Sequence, residues 1–205
     1  MTRWQRRLQH ELDLVARGGR PSDEQVVSLE ADPRQPQSVR ALLRLGLWPD
    51  ETTIATPAGL REAHARRVRA LEDLPTALIV FPFRDPYRDL YEWVIGPACH
   101  WENLRPVLLD RQAAGTLTAI GKAREAMRTA ALYIADVSAW NVNVCYEIGF
   151  MDALGTPGVL ISSKKGARQP HYLKDREISP MSTGLDATAR NRTKLRAELV
   201  RIRGS

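Results

Sequence analysis

The chain has 205 residues, 43% of them hydrophobic and 26% charged, which suits one soluble domain or one with a small accessory domain. No apolar run approaches the ~20 residues of a membrane helix, and the Arg-rich start leads into acidic residues, not a secretory leader, so a cytoplasmic location and no membrane partner are expected. Two distant cysteines, Cys99 and Cys145, and four scattered His exclude a disulfide framework and leave no metal-ligand spacing, so no metal or other cofactor is expected; the formal charge is +6.

In chain order, Trp4, Leu8, Leu12 and Val15 recur at helical steps and predict a helix over 2–17, ended by Gly18-Gly19-Arg20-Pro21. Ser22 with Gln25 three residues on forms a capping-box signature for a second helix, with Val26, Val27 and Leu29 on its apolar face. A third helix carries Val39, Leu42, Leu43 and Leu45 and closes at Gly46. Leu47-Trp48 and residues 53–56 are short β-capable pieces around a Pro-Asp turn and predict a hairpin. Pro57 suits the first turn of a fourth helix over 58–73.

Leu74-Pro75 marks the expected boundary between two domains, 1–74 and 75–205. Residues 76–83 are apolar on both faces, as in a buried parallel strand. A helix over 87–101 follows, with Gly96-Pro97 as a kink point. Then come a strand over 104–109 and a helix over 112–130, whose Leu117, Ile120, Ala123 and Met127 are spaced for a core face. A strand over 132–137 runs through a polar turn into a helix over 144–154 that stops at Gly155. A strand over 157–162, a weak strand-like piece near Glu177-Ile178 and a helix over 187–202 complete the chain.

The alternation of β and α segments predicts an α/β fold: a Rossmann-like parallel sheet of four or five strands flanked by helices, behind a small helical domain. The positive charge sits at the end of the chain: residues 164–205 hold 11 Lys and Arg against 4 Asp and Glu. A solvated helix face is the plainer reading of that excess, and attraction of phosphate-bearing ligands or nucleic acid the other. The turn after the strand over 132–137 places Asp136, Asn141, Asn143 and Glu147 toward the C-terminal edge of the sheet, where open α/β sheets bind ligands. Asp136 there either bonds a ligand hydroxyl or accepts loop N–H groups, and at least one of the two Asn is expected to cap the helix.

Two resemblances extend this reading. Leu42-Leu43-Arg44-Leu45-Gly46-Leu47-Trp48, followed by Ile54-Ala55-Thr56-Pro57-Ala58-Gly59-Leu60, resembles the last helix, wing and following helix of winged helix-turn-helix regulators. A DNA-binding version would turn Arg34, Arg40 and Arg44 to the duplex; a protein partner or plain packing is the other role for this nearly neutral segment.

Residues 76 to about 180 resemble the nucleoside 2-deoxyribosyltransferase-like superfamily and its TIR-like nucleotide glycohydrolase relatives. The resemblance is carried by Val80-Phe81-Pro82-Phe83, by Tyr91-Glu92-Trp93-Val94-Ile95-Gly96-Pro97-Ala98, and above all by the run from Ala135-Asp136-Val137-Ser138 to Asn141-Val142-Asn143-Val144-Cys145-Tyr146-Glu147-Ile148-Gly149. It implies a site for a nucleoside, nucleotide or NAD-like molecule, with Glu147 as the catalytic carboxylate. Asp136, Asn141, Asn143 and Arg84 would hold sugar and phosphate, and Phe83 and Tyr87 would line the loop after the first strand. It also implies a homo-oligomer. A carboxylate beneath an anomeric carbon stabilises or traps an oxocarbenium-like centre, and a helix N-terminus nearby would keep it ionised. The chain departs from the motif at Ala139, Trp140, Val142 and Cys145, and lacks a second acid within it. Those departures favour N-glycosidic hydrolysis over base transfer. They also leave the alternative of a non-catalytic nucleotide-sensing adaptor or transcriptional regulator.

Overall fold

A computed structural model describes residues 22–33, 35–48, 53, 56–81, 89–109, 117–139, 141–164, 170–182 and 187–204. The helix expected over 2–17 lies outside them. Three helices come first: α1 (Asp23–Ala31), α2 (Gln37–Arg44) and α3 (Pro57–Glu72). The capping box closes α1 as its residues predict: Gln25 N–H donates to Ser22 Oγ (3.2 Å) and Ser22 N–H to Gln25 Oε1 (2.9 Å). Thr56 Oγ1 caps α3 by accepting from Gly59 N–H, with Pro57 in the first turn. Of the expected hairpin, Leu47 and Trp48 are in irregular backbone, Thr53 is helical and Thr56 is the cap of α3; its other residues lie outside the described ones.

The α/β part holds five parallel strands: β1 (Thr76–Val80), β2 (Arg105–Leu108), β3 (Leu132–Asp136), β4 (Gly158–Ser162) and β5 (Ile178–Pro180), in the order β2-β1-β3-β4-β5. A π-helical turn (Tyr91–Ile95) runs into α4 (Gly96–Trp101), and α5 (Leu117–Thr129), α6 (Val142–Ala153) and α7 (Thr188–Arg203) are the later α-helices among the described residues. Alternate residues of each strand face opposite layers. Ala77, Ile79, Ile134 and Ile161 pack under Ile95, Cys99, Leu195 and Leu199. Leu78, Val80, Tyr133, Ala135 and Leu160 pack under Met127, Val144, Ile148 and Met151. Ile120, expected on the core face of its helix, is instead 49% exposed. The stripe of α5 meets the core from Ala123 to Met127, and Ile120 sits nearly a turn short of that contact.

The kink point at Pro97 has a defined structural result. Proline has no N–H, so the carbonyl of Trp93, four residues earlier, lacks its helical donor. The chain widens to a π turn, in which Gly96 N–H bonds the Tyr91 carbonyl. Arg192 of α7 fills the vacancy: its Nε donates to Trp93 O at 2.6 Å. Its two other nitrogens fork onto Glu30 of α1, at 3.1 and 2.6 Å, and both side chains are wholly buried. Burial pushes the Glu30 carboxyl up, against the Arg192 contacts that pull it down.

Further bonds fasten the helices of the N-terminal half to the α/β part. Arg196 reaches Asp23 (2.8 Å) and Glu102 (2.7 Å). Trp101 Nε1 donates to Leu43 O, and its ring completes the cluster of Val26, Leu29, Val39, Leu42 and Leu43. Gly46 closes α2 with φ +71°, and a Cβ there would stand 2.6 Å from the His100 carbonyl. Four of the basic residues at this end of the chain, Arg176, Arg192, Arg196 and Arg201, sit in ion pairs.

Removing one member of a buried pair strands the other, a loss of about 3–5 kcal/mol, and we expect that cost for Glu30→Ala in urea unfolding. Glu30→Leu combined with Arg192→Met should cost less than Glu30→Ala alone, because no buried charge remains. Gly46→Ala combines positive φ with a backbone clash and is expected to cost more than about 1 kcal/mol in the same assay.

Candidate functional site

The strand order reverses direction between β1 and β3, whose connections leave toward opposite edges of the sheet. A crevice opens at such a point beyond the C-terminal ends of the strands. Val80 of β1 lies beside Ala135 of β3, and Asp136 lies beside Ile161 of β4. Asp136 therefore ends the central strand at the switch point, and it is completely buried.

Its two carboxylate oxygens differ. Oδ1 accepts the Ser138 N–H at 2.7 Å, which is the loop-bonding role. Oδ2 is buried with no hydrogen-bond partner among the described residues. Burial raises the Asp136 carboxyl above its usual value, opposed by the Ser138 hydrogen bonds and more weakly by the Lys164 charge. A carboxyl group so placed has one acceptor position for a ligand hydroxyl, and it takes up a proton more readily than a solvated aspartate.

Beyond Asp136 the chain turns into α6. Asn141 is its N-cap, and its Oδ1 accepts the Asn143 N–H at 2.8 Å; Asn143 itself is exposed. Glu147 is buried, on the same inward face as Val144, Ile148 and Met151. It stands six residues past the cap, beyond the first turn, where the helix dipole fades. The helix N-terminus that the motif placed beside Glu147 therefore reaches it only weakly, and the side chain lies on the inward face of α6. Cys145 is half-buried, and a hydrogen bond with it pushes the Tyr172 hydroxyl up to about 12.

Structure thus brings Asp136, Asn141 and the start of α6 to one edge, with Glu147 on the helix beneath. Arg84, Phe83 and Tyr87 lie outside the described residues, as does Trp140. Tyr91 packs edge-on against Phe81, with ring centroids 6.2 Å apart.

Residues that the sequence did not single out are the serines of the neighbouring strand end. Ser163 N–H donates to Ser138 Oγ at 2.7 Å, the two hydroxyls lie 3.0 Å apart, and Ser162 Oγ donates to the Lys164 carbonyl. They tie the β3 and β4 ends together and hold the loop that bonds Asp136. The available signal was a small polar run, Ser162-Ser163-Lys164, directly after an apolar strand. Among the described residues no cluster of His, Cys, Asp or Glu could hold a metal ion, and no helix is long and apolar enough to cross a membrane.

The fold and this edge define a parallel α/β protein with buried carboxyl groups at its switch point. No protein-family model matches the chain, and no curated protein sequence matches it. Among solved structures, a 2-desoxiribosyltransferase from Leishmania mexicana is similar over 58% of this chain and 97% of its own, with 18% identity and a TM-score of 0.43. A likeness at that level assigns no family.

Asp136→Asn keeps the acceptor for Ser138 and removes the buried charge. Because the folded carboxyl is raised, stability at this position is lost as pH climbs from the usual 3.8 through the folded value. The variant should therefore melt higher than the parent at pH 7. That advantage should vanish below pH 3.8, as followed by thermal melts across pH.

Proposed function

We propose that the chain cleaves an N-glycosidic bond in a nucleoside, nucleotide or NAD-like molecule, with Glu147 as nucleophile or electrostatic stabiliser. The observation that carries this reading is the unpartnered, buried Oδ2 of Asp136 at the sheet edge, on the strand that leads into the helix of Glu147. The motif from Ala135 to Gly149 supports it from the sequence.

In this reading the sugar lies over the C-terminal ends of β1 and β3, and a hydroxyl donates to Asp136 Oδ2. The bond from the anomeric carbon to the base nitrogen breaks, and its electron pair leaves with the base. The carboxylate of Glu147 meets the positive charge left on the sugar, either through space while water adds to the anomeric carbon or by a covalent bond that water then hydrolyses. In both cases the water's oxygen stays on the sugar and its proton goes to the base. Arg84, Asn141 and Asn143 would hold phosphate and sugar, and Phe83 and Tyr87 the base. The division of the chain at residue 75 belongs to the same proposal: the α/β part carries the chemistry and the helical part braces it.

The test is a panel of nucleosides, nucleotides and NAD incubated with the parent chain and with Glu147→Gln, with free base measured by chromatography. Base release is expected from the parent. It should fall about 10²–10³-fold in the variant, the scale of removing one electrostatic stabiliser. Equal release by both would end the proposal, and saturable binding without release would instead favour the nucleotide-sensing reading.

A further inference from the structure

Away from the sheet edge, a cavity of about 400 Å³ opens between α2 and α3. Among the described residues, Gln37, Arg40, Ala41, Arg44, Leu45 and His64 line it, with no carboxylate among them. Its volume falls within the roughly 300–1,000 Å³ of small-molecule sites.

The arginines here differ from those at the end of the chain. Arg176, Arg192, Arg196 and Arg201 each meet a carboxylate. Arg40 and Arg44 make no ion pair or side-chain hydrogen bond among the described residues, and the Nε of each is buried without an acceptor. Buried donors left unmatched are costly, so the arrangement is incomplete as it stands. Arg44 is not loose: its guanidinium lies over the Trp93 ring, 4.1 Å from the centroid. Stacking engages the face of the group and leaves its edge donors for something else. Glu30 feels the Arg44 charge, but both Glu30 oxygens are taken by Arg192.

The neighbouring charge is not neutralised either. Arg67, one turn along α3 from His64, bonds the carbonyls of Leu45 and His100 and the amide oxygen of Asn103, all neutral acceptors. Two guanidiniums with unused donors, a histidine and a glutamine therefore converge on a recess of positive charge. A tetrahedral oxyanion suits it, because several acceptor oxygens can meet planar donor forks at once. We propose that this cavity binds the phosphate group of a small phosphorylated molecule, at a site separate from Asp136 and Glu147. A recess between two helices, as opposed to a stripe along a surface, favours a small ligand over a nucleic-acid backbone.

The probe is inorganic pyrophosphate, titrated calorimetrically into the full chain, with a 5′-nucleoside monophosphate and a short DNA duplex as parallel arms. Pyrophosphate should saturate a single site. Arg40→Gln and Arg44→Gln should each weaken it by about tenfold or more, the scale of a lost charge-assisted hydrogen bond. Asp136→Asn and Glu147→Gln should bind it as the parent does. Melting without the probe checks the fold of each variant; if Arg44→Gln fails that check through its lost packing on Trp93, Arg40→Gln alone decides. The proposal is overturned by absence of saturable pyrophosphate binding to the parent, by unchanged affinity in Arg40→Gln, by loss of affinity in Asp136→Asn, or by binding of the duplex alone.

Discussion

One buried guanidinium holds the molecule's parts in register. Arg192 sits without solvent exposure between the carboxylate of Glu30 and the carbonyl of Trp93. Each contact answers a defect elsewhere. The carbonyl is open because Pro97 has no N–H, and the carboxylate is tolerable in the interior only because a planar fork meets both its oxygens. Desolvating such a pair consumes most of what the charges gain from each other, so its contribution to net stability is small. Its contribution to geometry is larger. With α1, the π turn and α7 all bound to one side chain, a slide of any of them exposes a buried charge.

That arrangement also connects the two regions to which function is assigned here. The π turn comes next in the chain after β1, whose Val80 lies beside Ala135, the residue before Asp136. Trp93, whose carbonyl accepts from Arg192 Nε, offers its ring to Arg44 beside the cavity between α2 and α3. The residues around Trp93 are thus shared by the proposed phosphate recess and the framework of the candidate site.

Much of the fold was legible because it is written in short-range patterns. Residues 77–80 and 132–135 are apolar on both faces, and only a parallel strand covered by helices hides both. Ser22 and Gln25 announced a helix start that the backbone adopts, and Pro57 announced another. Ile120 shows where such patterns fail: helical spacing says which residues share a stripe, but not how far along the helix the sheet extends. Glu147 was legible as a carboxylate in a motif, whereas its depth on α6 and its buried setting were not. The partners of Asp136 were half legible. Ser138 is two residues away, but Ser163, which holds Ser138, is brought alongside by the pairing of β3 with β4. Arg192 and Glu30 lie 162 positions apart, and nothing in either neighbourhood marks them as partners.

That separation has a consequence for how the chain acquires its structure. Synthesis proceeds from the N-terminus, so α1 emerges with Glu30 long before Arg192 exists. Until then Glu30 has no fork to meet it, and burying it against the nascent core is disfavoured. The helices before β1 cannot take their final seat on the α/β part until α7 arrives. Docking of α1 thus waits on α7, and these two distant segments come together in one late event.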